Sequence, residues 1–331
     1  MSKKILIFGS NSFSGSNFIN HIMASGLYDQ IIGISRSNLP AGPFLPFDSN
    51  NTRNFVFHQL DLNQDFDEIK NLILKIKPSL IVNYAAQSMV AQSWVTPIDW
   101  YQTNVISLVK LQQFLNNVDF LDKFIHITTP EVYGNCEGFI DEDTPFNPST
   151  PYAISRACGD MSFKAYFNSF GFPVIFTRAA NVYGPCQQLY RIIPKTIFSI
   201  LNNEKLKLHG GGISTRSFIH IDDVSAATQK IILNGSIGET YHISTNEVIS
   251  IRKLVEIICD FMNVDFHENV VVDEERVGKD MAYHLSSKKI RNQLNWNDLV
   301  SLEDGIEQCI NWVRDNNSQL IKYPREYIHK K

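Results

Sequence analysis

Apolar residues in the first half of the chain fall into short unbroken runs separated by amphipathic stretches. Lys4 to Phe8, Gln30 to Ser35, Phe55 to Leu60, Leu80 to Tyr84, Lys123 to Thr128 and Pro173 to Arg178 read as six strands. Their apolar residues are continuous rather than alternating, as expected of parallel strands buried on both faces. Helical patterns lie between them, from the Gly9–Gly15 turn through Met23, over Asp65 to Ile76, Ile98 to Asn116 and Tyr152 to Phe170. Thr150 is a predicted N-cap for the last of these, with Pro151 at its first position. Strand–helix alternation of this kind predicts a doubly wound α/β sheet. Beyond about residue 180 the alternation stops. Two amphipathic helices stand out there, one with Ile251, Leu254, Val255, Ile258, Cys259 and Met262 on one stripe. The other carries Ile306, Cys309, Ile310 and Val313 behind a Ser301-x-x-Asp304 capping box.

Composition narrows the classes. At roughly 150 residues per domain, 331 residues predict two domains. Hydrophobic residues reach 44% and charged ones only 19%, which excludes a disordered chain. A formal charge of −4 gives no basic footprint for nucleic acid. No apolar run approaches the ~20 residues of a membrane span, and four apolar residues after Met1–Lys4 make no secretory leader. Five cysteines without a C-x-x-C pair predict reduced thiols in a cytoplasmic protein, and no His/Cys cluster has metal spacing.

Chemistry first enters at Gly9-Ser10-Asn11-Ser12-Phe13-Ser14-Gly15, a turn that follows a strand and opens a helix. Free backbone N–H groups and the positive end of a helix dipole suit a pyrophosphate there. Gly9 permits the tight turn and Gly15 the close helix–strand packing, while Ser12 stands where a middle glycine is expected. After the second strand comes Ser35-Arg36-Ser37-Asn38, with no acid to read a ribose 2′-hydroxyl. Arg36 is suited to a 2′-phosphate, so a tightly bound NADP is favoured over NAD. Asp61 and Leu62, after the third strand, are adenine-side candidates.

Tyr152 and Arg156 lie at i, i+4 on one helix face. A cation beside a phenol favours phenolate and predicts a pKa drawn toward the working range of a base. Upstream, Thr129-Pro130-Glu131-Val132-Tyr133-Gly134 leaves the carboxyl end of the fifth strand, the edge where open α/β sheets bind ligands.

With Asn83-Tyr84-Ala85-Ala86-Gln87-Ser88, Arg178-Ala179-Ala180-Asn181-Val182-Tyr183-Gly184-Pro185, Arg216-Ser217-Phe218-Ile219-His220-Ile221-Asp222-Asp223-Val224 and Arg276-x-Gly278-x-Asp280, these motifs span nearly the whole chain. In this order they resemble an extended short-chain dehydrogenase/reductase, and within it the nucleotide-sugar 4,6-dehydratases. The resemblance implies a doubly wound parallel Rossmann sheet over 1–180, with about 213–244 returning to it, and a smaller C-terminal substrate domain over 181–331. It implies a redox-neutral lyase in which Tyr152 takes the sugar 4-hydroxyl proton, Thr129 bonds near the 4-oxygen, Glu131 removes the C5 proton, and Arg156 supports Tyr152. Ala85 and Ala86 fall to the cofactor, and Gln87, Asn181, Arg191, Arg216 and Arg276 to the sugar nucleotide. A homodimer is implied through the helices near 98–116 and 152–170, the second carrying Phe163, Tyr166, Phe167 and Phe170.

Two positions depart from the family pattern. Arg156 stands where lysine is usual. Pro130 replaces the aspartate that donates to the C6 hydroxyl in glucose-type enzymes, so either Glu131 both takes and gives a proton, another donor serves, or elimination is lost. Three readings therefore stay open: a 4,6-dehydratase, a 4-epimerase, oxidase or decarboxylase acting through Tyr152, and a non-catalytic dinucleotide binder.

Overall fold

The computed structural model describes residues 3–40, 42–48, 54–274 and 284–330. Seven strands form the central parallel sheet. The first five strands are β1 (Lys4–Phe8), β2 (Gln30–Ser35), β3 (Phe55–Gln59), β4 (Leu80–Asn83) and β5 (Lys123–Ile127). A short β6 (Phe139–Ile140) follows outside the sheet, then β7 (Val174–Ala179) within it. Next come β8 (Asn181–Tyr183), β9 (Leu206–His209), β10 (Thr215–Arg216), β11 (Phe218–His220) and β12 (Thr240–Ile243). All six predicted strands are present, and β12 adds a seventh by pairing with β7, Tyr241 opposite Thr177. The strand order is β12-β7-β5-β4-β1-β2-β3, so the winding reverses between β1 and β4, and Phe8 at the end of β1 stands opposite Ile34 on β2 and Asn83 on β4. That reversal is the switch point at which doubly wound sheets bind ligands.

Helices cover both faces. Along the first half these are α1 (Phe13–Ser25), α2 (Phe66–Ile76), α3 (Val90–Ser93), α4 (Pro97–Tyr101), α5 (Leu108–Leu115) and α6 (Pro151–Phe170). The helix predicted over 98–116 is α4 and α5 joined by a π-helical turn, Gln102–Ser107. The extra residue per turn aims the Asn104 side chain into the protein, where Nδ2 reaches the Gln87 carbonyl and the Ser155 hydroxyl at 3.0 and 2.9 Å. π-Turns of this kind gather at functional sites. Thr150 caps α6 as expected, its Oγ1 accepting from the Ala153 N–H. Gly171, with φ +70°, ends the helix in the left-handed region.

Besides the cluster that packs α2, α5 and α6 on one face of the sheet, with Leu6, Phe8, Ile81, Leu111, Phe124 and Phe163 buried, two large apolar clusters fill the interior. One sits under the sheet and joins β1, β2 and α1 to 219–243 and to Ile290, Leu294 and Trp296. The other lies apart and is built by α7 (Ile192–Leu201), α9 (Ile251–Phe261) and α12 (Leu302–Leu320), with Leu254, Val255, Ile258, Ile306, Ile310 and Val313 buried. The stripe read from α9 faces this cluster, with Ile251 and Met262 at its half-buried ends. Each fully buried Ile or Leu contributes about 1.5–3 kcal/mol of transfer free energy. Ser301 caps α12, but Asp304 is too short to return to the backbone, and its carboxylate instead accepts from the Ser301 hydroxyl at 2.6 Å. Among the described residues, no helix is long and apolar enough to cross a membrane.

Candidate active site

A cavity of about 500 Å³ opens at the switch point, lined by Gly9, Asn11, Ser12, Arg36, Asp61, Leu62, Ala85, Ala86 and Gln87 among others. Its floor depends on glycines. Gly9 has φ +72°, and a Cβ there would stand 2.6 Å from the Ala85 nitrogen. A Cβ on Gly15 would stand 2.3 Å from the Gly9 carbonyl. Contacts that short are excluded, so Gly9 lets the loop after β1 pass close to the loop after β4, and Gly15 lets the turn itself close tightly onto the start of α1. Ser12 turns inward: its hydroxyl donates to the Gly9 carbonyl at 2.7 Å and accepts from the Gly15 N–H at 3.0 Å. It thereby caps α1 rather than projecting into the cavity, which explains how serine is accommodated at the middle position. Phe13 is buried in the core, and neither Phe13, Ser14 nor Gly15 lines the cavity. These residues shape the turn, whose backbone is the ligand-facing part.

After β3, Asp61 accepts from the Asn63 N–H at 2.7 Å, and its own N–H donates to the Asp65 carboxylate at 2.7 Å. Arg36 follows β2 as expected, yet one of its guanidinium nitrogens donates to the main-chain carbonyl of Lys330 at 3.0 Å. Gln87 donates to the same carbonyl at 2.8 Å. The C-terminal segment, with Pro324, Glu326, Tyr327, Ile328 and Lys330 on the cavity wall, was invisible to sequence reasoning because it has no motif and no periodicity. Cavity residues Asn11, Ser35, Thr103 and Tyr190 were also missed. Asn11 carried a signal: its side chain spans to the Ser37 and Asn38 carbonyls, tying the glycine turn to the loop after β2.

The other group lies at the carboxyl edge of β5. Thr129 caps a 3-10 turn, Pro130–Tyr133, with Pro130 at the first position, where a missing N–H costs nothing. Proline therefore preserves the turn that presents Glu131 while removing any acid from position 130. The Thr129 hydroxyl lies 3.4 Å from the Glu131 carboxylate. Tyr152, one residue into α6, is buried beside them, and its backbone N–H is held by the Ser93 hydroxyl at 3.2 Å. Arg156 is buried one turn on, with its guanidinium on the Ile127 carbonyl at the end of β5.

Electrostatics here differ from the expectation that Arg156 draws the phenol down. Burial, followed by the Glu131 charge, pushes Tyr152 up to about 12, while Arg156, the Thr129 hydroxyl and Arg191 pull the other way. Desolvation of a phenolate inside the fold outweighs one arginine. Thr129, Glu131, Arg156 and Arg191 are thus all near enough to bear on the Tyr152 hydroxyl.

Of the remaining sequence candidates, Asn181 begins β8 and pairs with Phe218. Arg191 stands exposed before α7, over the Tyr190 ring at 5.7 Å. Arg216 is buried on β10 and bonded to the Thr215 carbonyl at 2.7 Å; burial, followed by the Arg216 charge, lowers the pKa of His284. Arg276 lies outside the described residues. Among those described, no group of three or more His, Cys, Asp and Glu side chains could hold a metal.

The family model described as GDP-mannose 4,6 dehydratase matches residues 6–309. A human protein named dTDP-D-glucose 4,6-dehydratase is 31% identical over 95% of this chain and 91% of its own. DesIV from Streptomyces venezuelae, a dTDP-glucose 4,6-dehydratase solved with NAD bound, is 28% identical. It superposes with a TM-score of 0.86 over 96% of this chain and 98% of its own. A dTDP-glucose 4,6-dehydratase from Bacillus anthracis, also solved with NAD, gives a TM-score of 0.87 at 28% identity, with the same coverage of both chains. These NAD-bound relatives overturn the preference for NADP, and the structure supplies a reason: Arg36, the residue that suggested a 2′-phosphate, is engaged by the Lys330 carbonyl. The chain belongs to the GDP-mannose 4,6-dehydratase family, and is an extended short-chain dehydrogenase/reductase of the nucleotide-sugar 4,6-dehydratase type.

Proposed function

We propose that this chain binds NAD in the cavity at the switch point and converts a nucleotide-diphosphate hexose to its 4-keto-6-deoxy form. The observation that carries this reading is the convergence of Thr129, Glu131, Tyr152 and Arg156 at the carboxyl edge of β5. The glycine cradle fits the cofactor, since a Cβ at Gly9 or Gly15 would fill the space its loop needs. When bound, NAD supplies the acceptor for the C4 hydride and its return to C6, and its positive ring favours a phenolate nearby. Tyr152 takes the 4-hydroxyl proton, helped by Arg156 and by the Thr129 hydroxyl. The resulting ketone acidifies C5. Glu131 then removes the C5 proton and, with Pro130 unable to donate, gives it to the departing C6 hydroxyl; when hydride is returned to C6, C5 takes a proton from solvent, and Tyr152 releases to solvent the proton it took from the 4-hydroxyl. That dual role follows general acid–base logic, because the carboxyl formed in the first step is the acid needed in the second.

The second core, behind α7 and β10, is the nucleotide-sugar side, and Asn181, Arg191 and Arg216 are its diphosphate candidates by charge and placement. Its division from the 1–180 sheet domain, with 213–244 returning to the sheet, belongs to the same proposal. The relatives' names include dTDP-glucose and UDP-glucose, so both, with GDP-mannose, belong in a substrate panel.

A homodimer through α3–α6 is part of this proposal. Val95, Ile98, Met161 and Phe170 are 78%, 77%, 62% and 66% exposed on these neighbouring elements, with Trp94 and Ile106 also exposed. The aromatic pairs read from α6 do not all face outward: Phe163 is buried, and Phe167 packs on Gly238. A solution mass measured at micromolar concentration tests this, with twice 37.8 kDa expected and the monomer mass refuting it. All five cysteines are free, and the cytoplasmic setting expected from the sequence belongs to the same proposal.

Activity is tested by incubating the protein with the three sugar nucleotides and NAD and reading product masses. Loss of one water supports the assignment. An isomer of unchanged mass would replace it with epimerisation.

A further inference from the structure

After α12 the chain leaves the second core and runs without regular structure from residue 324 to 330 along the cavity wall. It is anchored rather than merely adjacent. The His329 ring stacks on Trp100 at 4.9 Å and 17°, and its Nε2 meets the Asp99 carboxylate at 2.7 Å. Tyr327 packs edge-on against Tyr190 at 5.5 Å. These contacts deliver the Lys330 carbonyl to Arg36 and Gln87, at 3.0 and 2.8 Å.

We propose that this C-terminal segment determines cofactor choice, its Lys330 carbonyl holding Arg36 so that a cation suited to NADP becomes part of a site selective for NAD. The inference rests on the reading that the switch-point cavity takes the dinucleotide. Arg36 follows β2, where such folds read the adenosine ribose. A 2′-phosphate only accepts hydrogen bonds and seeks a bidentate arginine fork. A carbonyl oxygen already on that guanidinium repels the phosphate oxygens and takes one of the fork's N–H groups. A 2′-hydroxyl can donate, so the same carbonyl is compatible with it. The selectivity that other folds obtain from an acidic side chain after the second strand is here assigned to a main-chain oxygen brought from the far end of the chain.

The test compares the intact protein with a chain ending at residue 323 and with His329→Ala, which keeps the full length and removes the Trp100 and Asp99 anchor. Dissociation constants for NADH and NADPH are read from the fluorescence of the reduced dinucleotides. In both variants the ratio of the NADPH to the NADH constant is expected to fall about tenfold, roughly the worth of one charge-assisted hydrogen bond. Adding Arg36→Ala to either is expected to cancel the fall. A ratio unchanged in both variants overturns the proposal, as does a fall that persists without Arg36. If the intact protein binds neither dinucleotide, the cavity reading fails and this inference fails with it. If it binds NADH and only the ratio test fails, the cavity reading stands alone.

Discussion

Asp160 lies on α6 one turn beyond Arg156, on the face that carries Tyr152, and it is fully buried. Its carboxylate accepts from the Thr128 hydroxyl at 2.9 Å and from Arg178 at 2.8 Å, and it contacts His126 at 3.3 Å. Burial alone would raise this carboxyl, but the pull of its partners prevails and holds it at about 2. Arg178 is the partner that matters, because burial pushes His126 down and keeps it neutral. A carboxyl so depressed, against about 3.9 when free, carries about 2–3 kcal/mol of stability at neutral pH. Asp160→Asn preserves shape but strands the buried Arg178 charge, for which breaking a buried pair typically costs 3–5 kcal/mol. The expected loss is therefore about 3–5 kcal/mol in urea unfolding followed by tryptophan fluorescence, with an unchanged m-value. Asp160→Asn combined with Arg178→Met is expected to recover part of it, since no lone charge remains. The folded pKa lies below the unfolded one, so this stabilisation is complete above about pH 4 and fades as pH falls toward 2. A loss under about 1 kcal/mol for the single variant would refute the claim that the buried Asp160–Arg178 pair is stabilising.

Other outcomes follow from the same geometry. Glu131→Gln should cut dehydration by about 10²–10⁴-fold while oxidation at C4 persists, so absorbance of reduced cofactor builds on mixing with substrate; a wild-type product rate would remove Glu131 from the chemistry. Gly15→Ala would place a Cβ 2.3 Å from the Gly9 carbonyl, and should abolish NAD binding by calorimetry with little change in far-ultraviolet circular dichroism; unaltered binding would show that the turn yields. Burial, followed by the Arg178 charge, holds His242 down at about 3. Its folded pKa is below the unfolded value of about 6.5, so stability is complete above pH 6.5 and declines below it, by about 1.4 kcal/mol per pH unit. His242→Gln should flatten the unfolding free energy between pH 6.5 and 5 by that slope, and an equal slope in both proteins would contradict the assignment.

The sheet was legible because its strands are long, uniformly apolar and separated by strong turn and cap signals, as at Gly9, Thr150 and Gly171. The strand at 240–243 was anticipated only as part of a return of about 213–244 to the sheet and not as a strand with bounds, because Thr240-Tyr241-His242-Ile243 is short and carries a polar imidazole, which the structure buries with the Tyr133 hydroxyl 2.8 Å from its Nε2. The π-turn at 102–107 escaped because helical periodicity does not register one inserted residue. That Tyr152, Glu131 and Thr129 lie together could be anticipated from motif order, since they sit on two local segments at the carboxyl edge of β5. The protonation of Tyr152 could not, because burial is a property of the whole fold and outweighs the neighbour visible in sequence. Arg36 misled for a related reason: its partner, Lys330, is 294 positions away.

The central claim is that Glu131 removes a C5 proton from a sugar that Tyr152 has helped to oxidise. The most direct measurement incubates the protein and NAD with nucleotide hexoses in deuterated water and locates the label. The account predicts a product lighter by one water, carrying one solvent deuterium at C5 and the former C4 hydrogen at C6. A product that has lost water with no deuterium at C5, or one labelled without elimination, would contradict it.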